Sequence, residues 1–472
     1  VTGLHELDAT ALAARIAGGE SSATEAVTAS LRRIEAVQPR LAAFVDVAAE
    51  AALADARAAD GRRGRRGGGS PPPLDGVPVS VKSAIDVRGL RCETGSPSRR
   101  GVVAGADAVA VARLRAAGAI VVGTTNVAEM LMGYESVNPL HGRTANPWDP
   151  GRTPGGSSGG EAAAIAAGCV CAGLGSDGGG SVRVPAHFTG IAALKPTPGM
   201  IPGTGHQPAC LGPFSLVGVV GPMARTVRDL QRLLTVLAGW DGADPCTAPV
   251  EPSRLPLPPQ REVWWFDSHP AAPATPETRE TVSRVVEALG AQGYRVRPWR
   301  PALLDEAREA WDVLFGDAGE LLLTEALGPA ARTLPILEAL HRERGPRTPL
   351  TALGLAEAWA ARDTLRARFI HELGGRVLVC PVAAVPAFRH GERRWTIEDR
   401  EVGYLDAMTY TQWANLLGAP AASVPAGLSA DGLPIGVQVM GAPFMDAQVL
   451  AVAADIERTV GRRFVPPEEA AS

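Results

Sequence analysis

The sequence predicts an α/β protein with a largely parallel sheet, on the strength of three stretches in which strand and helix patterns succeed one another. From Val77 the positions alternate, with Val77, Val79 and Val81 on one side and Pro78, Ser80 and Lys82 on the other, the two-residue period of a strand that leaves Lys82 at its end. Residues 108–117 then read as a helix and 119–122 as a buried strand. The third stretch repeats the pattern, with a small-residue helix over 161–167 and a strand over 169–174. Further along, residues 226–238 read as a helix and 378–381 as a short strand. A strand at 263–266, a helix at 276–289 and a strand near 294–296 make a βαβ unit laid beside the main sheet.

The flanks complete the organisation. Residues 4–60 are alanine-rich and helical in period, with Asp8, Ser22 and Thr24 placed as caps. Residues 61–73 combine glycine, arginine and proline, which builds no core and reads as an exposed loop. Residues 303–372 look helical, and Trp311, Phe315, Trp359 and Phe369 there suit core packing. No internal repeat is present.

Composition narrows the function. The chain has 472 residues, 46% hydrophobic and 20% charged, enough for one large domain or two to three smaller ones. Its 46 basic and 50 acidic side chains leave a net charge of -4, so sequence-independent binding to nucleic acid or membrane is not expected. Six scattered cysteines read as reduced, mostly buried thiols. Cys169 and Cys171 lack a second Cys or His pair at zinc spacing, so neither metal nor cofactor is expected. The stretch from Val1 to His5 has no basic region followed by an apolar one, and the apolar run 162–174 is too short to span a bilayer. The expectation is a cytoplasmic enzyme.

Two glycine-crowded serine loops hold the chemistry. The first runs Pro154-Gly155-Gly156-Ser157-Ser158-Gly159-Gly160-Glu161, and the second Gly175-Ser176-Asp177-Gly178-Gly179-Gly180-Ser181-Val182-Arg183-Val184-Pro185. Glycine lets backbone approach a ligand and turn N–H groups inward, as an oxyanion site requires; Gly178, Gly179, Gly180 and Ser181 are the candidate donors. Residues 155–159 also fit the G-x-S-x-G elbow, but residues 146–154 cannot make the strand that an elbow needs. Neither loop has phosphate-loop spacing. Plain glycine turns would leave the serines and the strand-end lysine unexplained.

Residues 155–160 and 175–185, continued by Gly190-Ile191-Ala192-Ala193-Leu194-Lys195-Pro196-Thr197, resemble the amidase signature family. The resemblance extends to Asp75–Lys82, to Asn146-Pro147-Trp148-Asp149 and to residues 419–436, and so covers nearly the whole chain; the stretch 240–400 matches least. It implies a single α/β/α domain over 1–472 with a central twisted mixed sheet covered by helices. Within that domain it implies a catalytic core at 75–235, a substrate-determining region at 240–400 and a C-terminal return to the core at 401–472. It further implies a Ser-cisSer-Lys triad, with Ser181 as nucleophile, Ser157 as bridging serine and Lys82 as base. Ser157 and Ser181 lie 24 positions apart, the family's spacing, which makes Ser158 the neighbour and not the proton carrier. The motif departs at Gly178, where a larger residue is common, and this puts the loop's local rigidity in doubt.

The residue types suit those roles. A serine hydroxyl needs a base, and His187 is the one histidine near either loop in sequence. A lysine serves only when neutral; bringing one from about 10.4 to about 7 costs the charged form about 4.6 kcal/mol, which burial can supply. Asp177 and Arg183 flank the second loop and are expected to pair and hold it, while His187, His206 and Cys210 are candidates for the mouth of the site. Trp311, Phe315, Trp359 and Trp395 could form an apolar acyl or aryl pocket or belong to the core. The expected partner is a small-molecule amide, and the expected assembly a homodimer. Two other functions stay open: the glutaminase-type subunit of a tRNA-dependent amidotransferase, and a biosynthetic amidase passing its acyl group to an amine.

Overall fold

The structure is a computed structural model that describes residues 3–63, 70–209, 215–250, 261–328, 334–345 and 349–461. The helices begin where local chemistry starts them. Asp8 caps the helix Ala9–Ala17 by accepting from Ala11 N, and Ser22 with Glu25 forms a capping box on Ala23–Leu41. Thr24 lies inside that helix and is no cap; its hydroxyl donates to Asp60 at 2.7 Å. The next helix, Ala49–Arg63, takes in the start of the stretch expected to be a loop, and residues 64–69 lie outside the described ones.

Strands follow in chain order as β1 (Phe44–Val47), β2 (Pro78–Lys82), β3 (Ile120–Thr125), β4 (Val137–Asn138), β5 (Gly142–Arg143), β6 (Ala172–Asp177) and β7 (Ala192–Lys195). The later ones are β8 (Val219–Ala224), β9 (Glu262–Trp265), β10 (Arg295–Pro298), β11 (Val377–Pro381), β12 (Arg394–Ile397), β13 (Arg400–Gly403), β14 (Ala421–Leu428) and β15 (Pro434–Met440). Eleven of them form one sheet in the order β1-β3-β2-β6-β8-β7-β14-β15-β11-β9-β10. Pairing is parallel for β3-β2-β6 and for β11-β9-β10. It is antiparallel for β1-β3, through β6-β8-β7-β14-β15 and for β15-β11. The sheet is therefore mixed, as the family resemblance implies, and the largely parallel sheet expected from the strand and helix succession is corrected: β8 runs against β6 and β7, and the C-terminal hairpin β14-β15 continues the antiparallel pairing from β7 to β11. β1 is a second correction, a four-residue strand inside a segment that reads as helical.

Alternation along the strands makes the layers. Val79, Val81 and Val121 join one core with the helices Ala9–Ala17, Val109–Ala116 and Val227–Leu237, while Ile120 and Val122 join another with Ala23–Leu41 and Gly159–Ala166. Val377 and Val379 likewise face the first core, and Leu378 and Cys380 face a third built on the helices of residues 303–417. The βαβ unit sits at the sheet edge, where β9 and β10 pair in parallel around the helix Pro276–Ala291. β6 starts three residues later than the sequence suggests, because Gly168 at φ +82° ends the preceding helix and spaces out the turn. The shift carries Ser176 and Asp177 onto the end of the strand. Among the described residues no helix is long and apolar enough to cross a membrane, and no group of side chains could hold a metal ion.

Candidate active site

The polar face of β2 is where the site begins. Lys82, at the strand's last position, is fully buried, and its Nζ lies 2.7 Å from Ser157 Oγ, 3.1 Å from Ser176 Oγ and 3.3 Å from Ser176 O. Ser157 ends the first glycine loop, next to the helix Gly159–Ala166, and the Gly156–Ser157 peptide is cis. Ser158 turns the other way. Its Oγ donates to Ser176 O at 3.2 Å and its N–H donates to Ser181 O at 3.1 Å, so it ties the two loops together. Ser157, Ser176 and Ser181 open onto one cleft of about 260 Å³.

Ser181 stands at the end of a turn clamped by Asp177. The carboxylate accepts from Gly180 N at 2.7 Å and Val182 N at 3.1 Å, the residues on either side of Ser181. Arg183 closes on the same carboxylate with two bonds of 3.0 and 2.8 Å, both side chains being completely buried. The guanidinium's other donors reach Thr411 O, Gln438 Oε1 and Asn415 Oδ1, so all five are engaged. Burial opposes the ionised form of Asp177, and the Arg183 charge and hydrogen bonds more than offset it, holding the carboxyl well below the usual carboxylate range.

This clamp corrects one oxyanion candidate. The Gly180 N–H is already given to Asp177, so the loop's remaining donors are the N–H groups of Gly178, Gly179 and Ser181, none of which finds an acceptor among the described residues. Gly180 has a different duty: at φ +125°, a Cβ there would lie 2.3 Å from Thr411 Oγ1. The peptide before it is held through Gly179 O, which accepts from Tyr134 Oη at 3.1 Å and Thr411 Oγ1 at 2.9 Å. Gly178 is thus followed by a pinned peptide, which answers the doubt about local rigidity.

The remaining candidates separate. His187, expected near the mouth, is fully buried in the helix Arg183–Thr189 and points away from it. Its Nδ1 accepts from Gly436 N at 2.7 Å, which makes Nε2 the protonated nitrogen, donating to Val385 O at 3.1 Å. Burial lowers this ring to about 4. The unfolded chain therefore takes up a proton below about 6.5 that the folded chain refuses until about 4. As pH falls through that window, wild type is expected to lose about 1.4 kcal/mol per unit relative to His187→Asn, as read by urea unfolding; parallel curves contradict the assignment.

His206 does line the cleft, with Nδ1 2.9 Å from Pro208 O, whereas Cys210 lies outside the described residues. Of the four aromatics, Phe315 lines the cleft and Trp311 stacks on it at 4.4 Å between ring centroids. Trp359 lies instead under the Arg362 guanidinium and Trp395 packs on Phe388. Ser176, Tyr134 and Thr411 are the site residues that the sequence did not single out. For Ser176 a signal existed, since it sits inside the second glycine loop; nothing in the spacing pointed to the other two.

Fold and site together place a buried lysine and three serines at one cleft of a mixed α/β sheet. The chain belongs to the amidase signature family: the model of the Amidase family matches residues 25–450. It is 36% identical to one subunit of the glutamyl-tRNA(Gln) amidotransferase of Myxococcus xanthus, with 96% of this chain and 97% of the relative covered. Among solved structures it is similar to an amidase, at 30% identity and a TM-score of 0.82 with 96% of this chain and 99% of that one covered. It is also similar to 6-aminohexanoate cyclic dimer hydrolase in complex with substrate, at 28% identity and a TM-score of 0.83 with 98% and 99% covered. The chain is thus an amide-hydrolysing enzyme of that family.

Proposed function

We propose that this enzyme cleaves a carboxylic amide through an acyl-enzyme on Ser181, with Ser157 and Lys82 as the proton relay. The observation that carries this reading is the 2.7 Å approach of the fully buried Lys82 amine to Ser157 Oγ, at the cleft onto which Ser181 also opens. The neutral amine accepts the Ser157 hydroxyl proton while Ser157 takes that of Ser181, and Ser181 Oγ bonds to the amide carbon. The N–H groups of Gly178, Gly179 and Ser181 stabilise the resulting oxyanion. Lys82 then returns the proton through Ser157 to the amide nitrogen, the oxyanion re-forms the carbonyl, and the C–N bond breaks to release the amine. Water then attacks the Ser181 ester and gives its proton to Ser157 and Lys82, and the return of that proton to Ser181 Oγ as the ester bond breaks frees the acid and restores the resting enzyme.

The cleft favours an apolar acyl or aryl group. Met130, Leu131, Met132, Phe315, Leu322 and Leu323 form its wall. A panel of amides tests this, with apolar acyl amides expected to exceed glutamine by at least about tenfold in kcat/KM, since one apolar contact of this kind contributes about 1–3 kcal/mol. Phe315→Ala is expected to raise KM more than it lowers kcat. Glutamine as the best substrate would contradict the reading.

The amidotransferase-type glutaminase is the second reading, favoured by the relative at 36% identity. Glutamine presents an ammonium and a carboxylate, and burying either without a counter-charge is costly. Asp177 is the one acidic residue on the described cleft wall, and it is locked onto Arg183. Glutaminase assays with and without co-purified partners separate the two readings.

A further inference from the structure

Behind Lys82 lies a second ionisable group. Glu161 is fully buried in the first turn of the helix Gly159–Ala166, four residues after Ser157. Its carboxyl accepts from Ser80 Oγ at 2.5 Å and from Thr125 Oγ1 at 2.8 Å. Ser80 precedes Lys82 by two positions on the same face of β2, and Thr125 is the register partner of Lys82 on β3. β6 leaves room for the carboxyl, since a Cβ on Gly173 would lie 1.9 Å from Glu161 Oε1. Two strands and a missing side chain thus seat an acid against the strand face that carries the lysine.

The other charged groups on elements packed against this helix turn elsewhere. Asp177 of β6 and Arg183 of the next helix close on each other, and His187 binds Val385 O and Gly436 N. β3 and β8 carry no ionisable residue, and Lys82 is the one that β2 carries. His206, which also senses the Lys82 charge, is kept neutral by burial, its ring lowered to about 4.

We propose that Glu161 is a positioning residue that governs the charge on Lys82, the two groups titrating as a coupled pair that holds one proton in the resting enzyme. An ionised Glu161 holds Lys82 as an ammonium. When the shared proton resides on the carboxyl, the amine beside Ser157 is neutral and the pair has neither gained nor lost a proton. Burial raises the carboxyl to about 7, against the pull of the two hydroxyls and of Lys82, so both forms are accessible near neutrality.

The inference rests on Lys82 acting as the base, and pH profiles of kcat/KM on one amide separate the two claims. In Glu161→Gln the acidic limb is expected to move to lower pH by about one to two units, because the ammonium loses its counter-charge. Thr125→Val keeps the side-chain shape but removes one donor to the ionised carboxyl, and is expected to move the limb the same way by less. It alone decides if Glu161→Gln does not fold. Limbs that stay in place, or that move to higher pH, overturn the role of Glu161. A Lys82→Ala variant with wild-type turnover overturns the base itself, whereas its collapse alongside unmoved limbs removes Glu161 alone.

Discussion

Ser181→Ala is expected to lower amide turnover by roughly 10⁴-fold or more with the fold intact, because loss of a covalent nucleophile disables the whole reacting unit. The contrast with Ser158→Ala gives the result its meaning. Ser158 spends its hydroxyl on Ser176 O and its N–H on Ser181 O, so its loss is expected to loosen the two loops and cost roughly tenfold. Parallel kcat measurements on one amide, with circular dichroism to show folding, decide the matter. A Ser181→Ala enzyme with normal turnover beside a dead Ser157→Ala enzyme would return the elbow reading of residues 155–159, in which Ser157 is the nucleophile.

The second large effect is on stability. Arg183→Met is expected to lower the unfolding free energy by about 3–5 kcal/mol, the usual consequence of leaving one member of a buried ion pair without the other. The guanidinium satisfies both oxygens of Asp177, and its remaining donors go to Thr411 O, Gln438 Oε1 and Asn415 Oδ1. Methionine fills much of the space and answers none of these acceptors. Because Asp177 also holds the N–H groups on both sides of Ser181, turnover is expected to fall with stability. Urea unfolding checks the first part, and a loss below about 1 kcal/mol would show that the pair is dispensable.

How much of this could be read from the chain divides by distance along it. The lysine strand, the two glycine loops and the capped N-terminal helices were legible because each is set by residues a few positions apart. The alternation around Val79 and Val81 placed Lys82 on the opposite face, where the structure also has it. The contacts that hold the nucleophile's turn were not legible. Asn415 and Gln438 reach Arg183 across 232 and 255 positions, and no periodicity encodes such a meeting. Strand direction failed for a related reason: local succession suggests parallel crossovers, while the insertion of β14-β15 next to β7 is decided by packing. Gly180 shows a third limit. Its glycine was correctly noticed, but the need it meets is clearance from Thr411, and its N–H is taken by Asp177.

Labelling with a fluorophosphonate, which reacts with activated serine hydroxyls, tests the relay most directly when the modified peptide is mapped by mass spectrometry. The relay predicts one label, on Ser181, and a labelling rate that falls by at least about 100-fold in Lys82→Ala. A label on Ser158, or labelling of Lys82→Ala at the wild-type rate, would contradict it.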